Sequence, residues 1–175
     1  MYAIPNFRLP KTYVRTVIRA LEQMGVQFAC NAKLGENVKI SDLTAEYDKV
    51  FIATGAWKRP VLGFDGEEFT EFGLQFLVDE RNNVLVVGGG NVSMDVAITA
   101  KRLGAKRVTL CCLEQREEMP ASAEEIARAE EEGIEIRNVW GPVRALYDGS
   151  SLNGMELNAC TTLRDETGRF NPSYD

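Results

Sequence analysis

The stretch from Asn82 to Ala105, NNVLVVGGGNVSMDVAITAKRLGA, constrains the fold of this chain more than any other. An apolar run, Val84 to Val87, empties into three glycines and then into small and apolar residues at helical spacing. A strand that ends on residues without side chains and turns straight into a helix is the opening of a βαβ unit. Gly88-Gly89-Gly90-Asn91-Val92-Ser93 meets the pattern G-x-G-x-x-G/A with serine in the last place. In a dinucleotide site Gly88 allows the tight turn and Gly90 lets a pyrophosphate approach the backbone. A small residue at Ser93 lets the helix pack close to the strand, and the free amides at the helix start face the phosphates. A glycine-rich turn that binds nothing is the plain alternative. The strand before it, the helix after it and the βαβ context favour a nucleotide.

The rest of the chain extends this pattern. Asn91 to Leu103 reads as a helix closed by Gly104, Arg107 to Leu113 as a second strand, and Ser122-x-x-Glu125 as a capping box opening a helix that Gly133 ends. IEIRNVW (134–140) is a third strand. Alternating strand and helix means parallel strands with right-handed crossovers, so the expected class is α/β: a Rossmann-like, three-layer dinucleotide-binding domain. VRALYDGSSLNGMELNACTTL then changes rhythm to an antiparallel hairpin around a Gly/Ser/Asn turn. The chain stops at RDETGRFNPSYD with no closing element expected, as a piece of something longer would.

Ahead of the glycines, Val14, Val17, Ile18, Leu21 and Met24 follow Pro10 at helical spacing, with Gly25 as the stop. VQFAC (26–30) reads as a short strand and GENVKISDLTAEY as a loop with a short helix opened by Ser41 or Asp42. KVFIATGA (49–56) reads as a buried strand leaving on Gly55, WKRPVLGFDGEEF as a loop, and GLQFLVDE as either helix or strand.

A net charge of −6 spread along the chain offers no clustered basic face, so nucleic acid is not an expected partner. The amino terminus has no leader pattern and the chain no run near the ~20 apolar residues of a membrane helix, which points to the cytoplasm and away from a membrane. Cys30, Cys111, Cys112 and Cys160 show no CxxC spacing and read as buried free thiols. The absence of histidine excludes histidine general-base catalysis and most catalytic zinc sites, so no metal ligand is expected.

The end of the second strand reads the nucleotide. A carboxylate there bonds the ribose 2′-OH of NAD, whereas an arginine accommodates the 2′-phosphate of NADP. This chain has Leu113-Glu114-Gln115, with Glu114 26 residues beyond Gly88 and Arg116 close behind. NADH is the expected choice; a solvated charge at a strand end is the plain alternative for Glu114.

IPNFRLPK, VFIATGAWKRP, VLVVGGGNVSMDVAITAKRLGA, REEMPASAEEIARAEEEGIE and DETGRF, in this order along nearly the whole chain, resemble the small subunit of NADPH-dependent glutamate synthase. The same module recurs in dihydropyrimidine dehydrogenase and related flavoprotein electron-transfer subunits. The resemblance implies a fold of two dinucleotide domains that takes a hydride from NAD(P)H onto FAD and passes electrons through iron–sulfur clusters to a partner subunit. It implies that residues 1–79 are part of an FAD-binding domain, with Ala53-Thr54-Gly55 near the flavin, and that 80–175 bind NAD(P)H.

Three departures matter. The family's amino-terminal cysteine-rich region, its first glycine motif and its carboxy-terminal FAD segment are missing from this sequence. This chain is therefore expected to hold FAD poorly and, alone, to be inactive. The family commonly has two arginines where Leu113 and Glu114 stand. The link FLVDERNNVLVV is short, which raises the question of residues omitted around Arg81. Hydride transfer needs stacking of nicotinamide on flavin rather than a side-chain acid, so no catalytic residue is assigned. Two further readings stand beside this one: a non-enzymatic NADH-sensing module, and an S-adenosylmethionine domain, which the hairpin and the ATGA segment disfavour.

Overall fold

A computed structural model of the chain describes residues 4–55, 58–73 and 82–175. It divides into two compact units, one of Asn6–Pro60 and one of Val61–Asp175 together with the short stretch ending at Pro5.

In the first unit, helix α1 (Lys11–Gln23) starts after Pro10 and ends where expected. The Gly25 amide donates to Glu22 O (3.0 Å) and the Val26 amide to Leu21 O (3.0 Å), with Gly25 at φ 95°. This is a Schellman closure, in which a residue free to adopt positive φ lets two otherwise orphaned carbonyls be satisfied. Helix α2 (Ile40–Glu46) has Lys39 as its N-cap, ahead of the expected Ser41 or Asp42, which lie inside its first turn. The two strands expected here are not formed: neither 26–30 nor the described residues 49–55 are extended into a ladder. A strand exists only with a neighbour that takes its N–H and C=O groups, and among the described residues neither segment is part of a β-ladder. Phe51 and Ile52 are accordingly 92% and 66% exposed. All but the first residue of GLQFLVDE, the junction at Arg81, and Ala56 at the end of KVFIATGA lie outside the described residues.

The second unit carries the alternation as expected. Strands β1 (Asn83–Val87), β2 (Arg107–Cys111) and β3 (Glu135–Arg137) form a parallel sheet in the order β1-β2-β3. Val86 stands opposite Leu110, and Leu110 opposite Ile136. Helix α3 (Asn91–Arg102) connects the first pair and packs on both strands; α4 (Ala123–Glu131) connects the second and packs on α3. Both helices end as α1 does, with the amides of Gly104 and Ala105 on Lys101 O and Ala100 O, and those of Gly133 and Ile134 on Glu130 O and Ala129 O. The core lies between sheet and helices: Met94, Ala97, Ile98, Val108, Leu110, Cys111 and Ala129 are at most 2% exposed.

The remainder of this unit is antiparallel. Strands β4 (Trp140–Tyr147), β5 (Leu152–Arg164) and β6 (Phe170–Tyr174) form a second sheet in that order. The hairpin β4–β5 was expected; β6 corrects the expectation that RDETGRFNPSYD closes nothing. Asp165 Oδ1 accepts the Thr167 and Arg169 amides (2.9 and 3.2 Å), and Gly168 sits at φ 79°, so DETG is an Asx-type turn that returns the chain along β5. Pro172 is tolerated because β6 is an edge strand. The loop FDGEEF also joins this sheet, with the Asp65 amide on Val143 O (3.1 Å) and the Ala145 amide on Asp65 O (2.8 Å). Phe69 then stacks on Tyr147 at 4.0 Å.

No helix among the described residues is long and apolar enough to cross a membrane.

Candidate functional site

The turn between β1 and α3 is built so that each glycine answers a different demand. Gly88 has φ 134°, and its amide donates to Cys111 O (2.8 Å), which ties the end of β1 to β2. A Cβ on it would stand 2.7 Å from Ser93 Oγ. The small side chain of Ser93 is thus packed against the first glycine. A Cβ on Gly89 would meet Glu114 Oε2 at 2.8 Å and Cys112 Cβ at 3.1 Å. Gly90 differs from both: its φ of −92° suits any residue, and a Cβ there would meet nothing within 4 Å. The fold itself therefore makes no demand for glycine at position 90.

Above that open face, Ser93 and Met94 return their amides to Gly90 O (3.0 and 3.2 Å) and begin α3. The amides of Gly89, Gly90, Asn91 and Val92 have no hydrogen-bond partner among the described residues. Four unsatisfied donors at the positive end of a twelve-residue helix favour an anion.

Asn91 has a role that the motif did not reveal. Its Oδ1 accepts the Ser122 amide (3.0 Å), while Gly89 O accepts the Ala121 amide (3.0 Å). The MPAS segment is therefore a strap across the outside of the turn, held down by the burial of Met119 and Ala121. The capping box is seen on its serine side: Ser122 Oγ accepts the Glu125 amide (3.4 Å), and the Ser122 amide goes to Asn91.

Glu114 follows β2 and is half-buried, with its carboxylate at the glycine turn. Its backbone is pinned: Asn138 Nδ2 (3.1 Å) and the Val139 amide (3.3 Å) both donate to Glu114 O. Val139 makes this bond at φ 60°, a left-handed conformation that costs a β-branched residue about 1–3 kcal/mol. Its carbonyl in turn accepts the Cys160 amide (2.8 Å). Neither Asn138 nor Val139 carried any signal in the sequence. A cleft of about 330 Å³ borders this region, lined among others by Leu113, Gln115, Val139, Thr161 and Thr162. Arg116 is engaged by Glu130 of α4 through both terminal nitrogens, Nη1 to Oε1 at 2.5 Å and Nη2 to Oε2 at 2.8 Å.

Ala53, Thr54 and Gly55 belong to the first unit, where all three are exposed and Gly55 has φ 73°. The strand end expected to present them is not formed. Among the cysteines, burial was expected for all four and holds for Cys111 and Cys112; Cys160 is half-buried and Cys30 is exposed. Burial, followed by the neighbouring Cys112, pushes the Cys111 thiol up to about 12. Burial, followed by the Glu114 charge, pushes Cys112 up to about 11. Neither is a thiolate at neutral pH, so neither is a nucleophile. No group of His, Cys, Asp and Glu among the described residues could hold a metal ion.

Residues 11–158 match the pyridine nucleotide-disulphide oxidoreductase family. The chain is 34% identical, over 98% of its length, to a putative NADPH glutamate synthase small chain of Cereibacter sphaeroides, of which it spans 46%. It is 35% identical, over 91% of its length, to a subunit of NAD-dependent dihydropyrimidine dehydrogenase of Escherichia coli O157:H7, of which it spans 41%. It thus covers less than half of these relatives. Among solved structures, FprA of Mycobacterium tuberculosis in complex with NADPH superposes with a TM-score of 0.69 over 92% of this chain and 54% of that one, at 14% identity. At that identity the likeness speaks for the fold alone.

Proposed function

The chain belongs to the pyridine nucleotide-disulphide oxidoreductase family, and on that premise we propose that its glycine turn binds the pyrophosphate of a pyridine nucleotide, with NADH favoured over NADPH. The observation that carries this reading is Gly90. Its backbone is ordinary and its Cβ direction is empty, so the glycine is explained by something that comes close from outside the chain. The free amides of Gly89 to Val92 would hold the phosphates, and Ser93 would keep the helix close enough for them to do so. Glu114 would accept hydrogen bonds from the adenosine ribose, and the adjoining cleft would take the adenine between Leu113 and Val139. The relatives differ in the nucleotide their names carry, NADPH in one and NAD in the other. Family membership thus leaves the choice to residues such as Glu114.

In the whole protein the nucleotide's hydride would pass to FAD, and electrons onward to an iron–sulfur or catalytic partner subunit. By cofactor, we assign residues 80–175 to NAD(P)H and 1–79 to part of a flavin domain. The division by contacts differs, because residues from Val61 onward, Asp65 and Phe69 among them, pack with the second unit. Ala53-Thr54-Gly55, the segment assigned to the flavin, are exposed, and no strand among the described residues presents them. This chain's own residues bind and orient the nucleotide. Four free cysteines suit a reducing compartment, which supports a cytoplasmic location.

Calorimetric titration with NADH tests the reading. Gly90→Val should still fold, at a cost of about 1 kcal/mol because valine is a poorer N-cap than glycine, and should lose NADH affinity by about tenfold or more as its side chain blocks the pyrophosphate. A folded Gly90→Val with undiminished affinity would place the nucleotide elsewhere.

A further inference from the structure

We propose that Glu130 helps set the nucleotide preference by engaging Arg116 and so withholding it from a 2′-phosphate; this rests on the reading of the glycine turn as the nucleotide site. The segment Glu114–Glu132 holds eight glutamates and only two arginines, Arg116 and Arg128. Arg128 faces Glu125 one turn back on its own helix (3.7 Å). Arg116, two residues past the carboxylate that lies at the glycine turn, is the cation a 2′-phosphate would need.

Its guanidinium is already used. The paired contacts with Glu130, 2.5 and 2.8 Å, are the fork by which arginine also grips phosphate, so the same two nitrogens serve one partner at a time. Glu130 is not a casual partner in position. Helix α4 is tied to the glycine turn through the Ser122 amide on Asn91 and the Ala121 amide on Gly89 O. The anion that holds Arg116 is thereby carried on an element braced against the nucleotide turn itself. With Arg116 so held, the carboxylate at the glycine turn is that of Glu114, with Glu118 and Arg164 of opposite charge lining the adjoining cleft, so Glu114 stands unscreened by Arg116 and opposes a 2′-phosphate while accepting a 2′-hydroxyl. Both side chains of the pair are a little under half exposed, 45% and 44%. A pair so placed contributes little to folding, and its removal spares the fold.

The test titrates NADH and NADPH into the chain, Glu130→Gln, and the double variant Arg116→Gln/Glu130→Gln at low salt. Glu130→Gln should tighten NADPH by about two- to fivefold, the free-energy scale of a half-exposed ion pair, and leave NADH and the melting temperature unchanged. The gain should vanish in the double variant. Unchanged NADPH affinity in Glu130→Gln overturns the proposal, as does a gain that survives loss of Arg116. If the parent chain binds neither nucleotide, the site reading falls and the proposal with it. If the parent binds NADPH as tightly as NADH, only the NADH preference falls, and the response to Glu130→Gln still decides what Glu130 does.

Discussion

The proposed nucleotide preference turns on one side chain, Glu114. Its carboxylate stands 2.8 Å from where a Gly89 side chain would begin, at the turn where a dinucleotide would bend. There it can accept from ribose hydroxyls but offers a 2′-phosphate only like charge. Glu114→Arg should shift affinity toward NADPH by about tenfold to a hundredfold, the scale of ~1–3 kcal/mol for a charged hydrogen bond. Paired titrations of parent and variant check this; an unmoved ratio would make Glu114 a bystander. The motif and the separate demands on Gly88 and Gly90 were legible in the sequence; that Gly89 is crowded by Glu114 and Cys112 was not. Gly88 is required by φ 134° and by Ser93, whereas Gly90 is required by nothing in the chain.

Elements were legible where their causes are local. Three helix ends with glycine at the same place close by the same pair of hydrogen bonds, because positive φ at one residue suffices. The serine cap of α4 was read from four residues, and the β4–β5 hairpin from its turn. Elements failed where the cause is a neighbour. KVFIATGA is as apolar as β1, yet only β1 has β2 beside it, and without a partner strand apolarity makes no ladder. The sequence reading missed β6 for the converse reason. FNPSY is a poor strand by composition, but the long edge of β5 and the Asp165 turn recruit it. The strap across the glycine turn belongs to this scale too. Asn91→Ala should lower the stability of the second unit by about 1 kcal/mol, as loss of a hydrogen bond to a backbone amide does. Denaturant unfolding measures it. Full stability in Asn91→Ala would mean that the residue serves a ligand alone.

On the scale of the whole molecule, the two units differ in what they have buried. The second has a closed core with Cys111 and Cys112 at 0% and 2% exposure, while helix α1 of the first buries none of its residues. That core sets an alkaline limit. The folded state holds the Cys111 and Cys112 protons up to about 12 and about 11, while an unfolded chain releases them near its ordinary value of about 9. Stability is therefore full below pH 9 and falls as pH rises from there toward 11 and beyond. Thermal melts of the parent and of Cys111→Ala/Cys112→Ala across that range should show a flatter alkaline limb in the variant; parallel limbs would assign the loss to other groups. By itself the sequence determined what short-range physics controls: strand, glycine turn and helix, the parallel alternation, the helix stops and the charge at the end of β2. Tertiary structure alone decided which glycine faces empty space, that Asn91 braces Ser122 31 residues away, and that Glu130 takes Arg116. Composition sets which groups can pair, but the choice among many possible partners falls to the packing that brings two of them within hydrogen-bond distance.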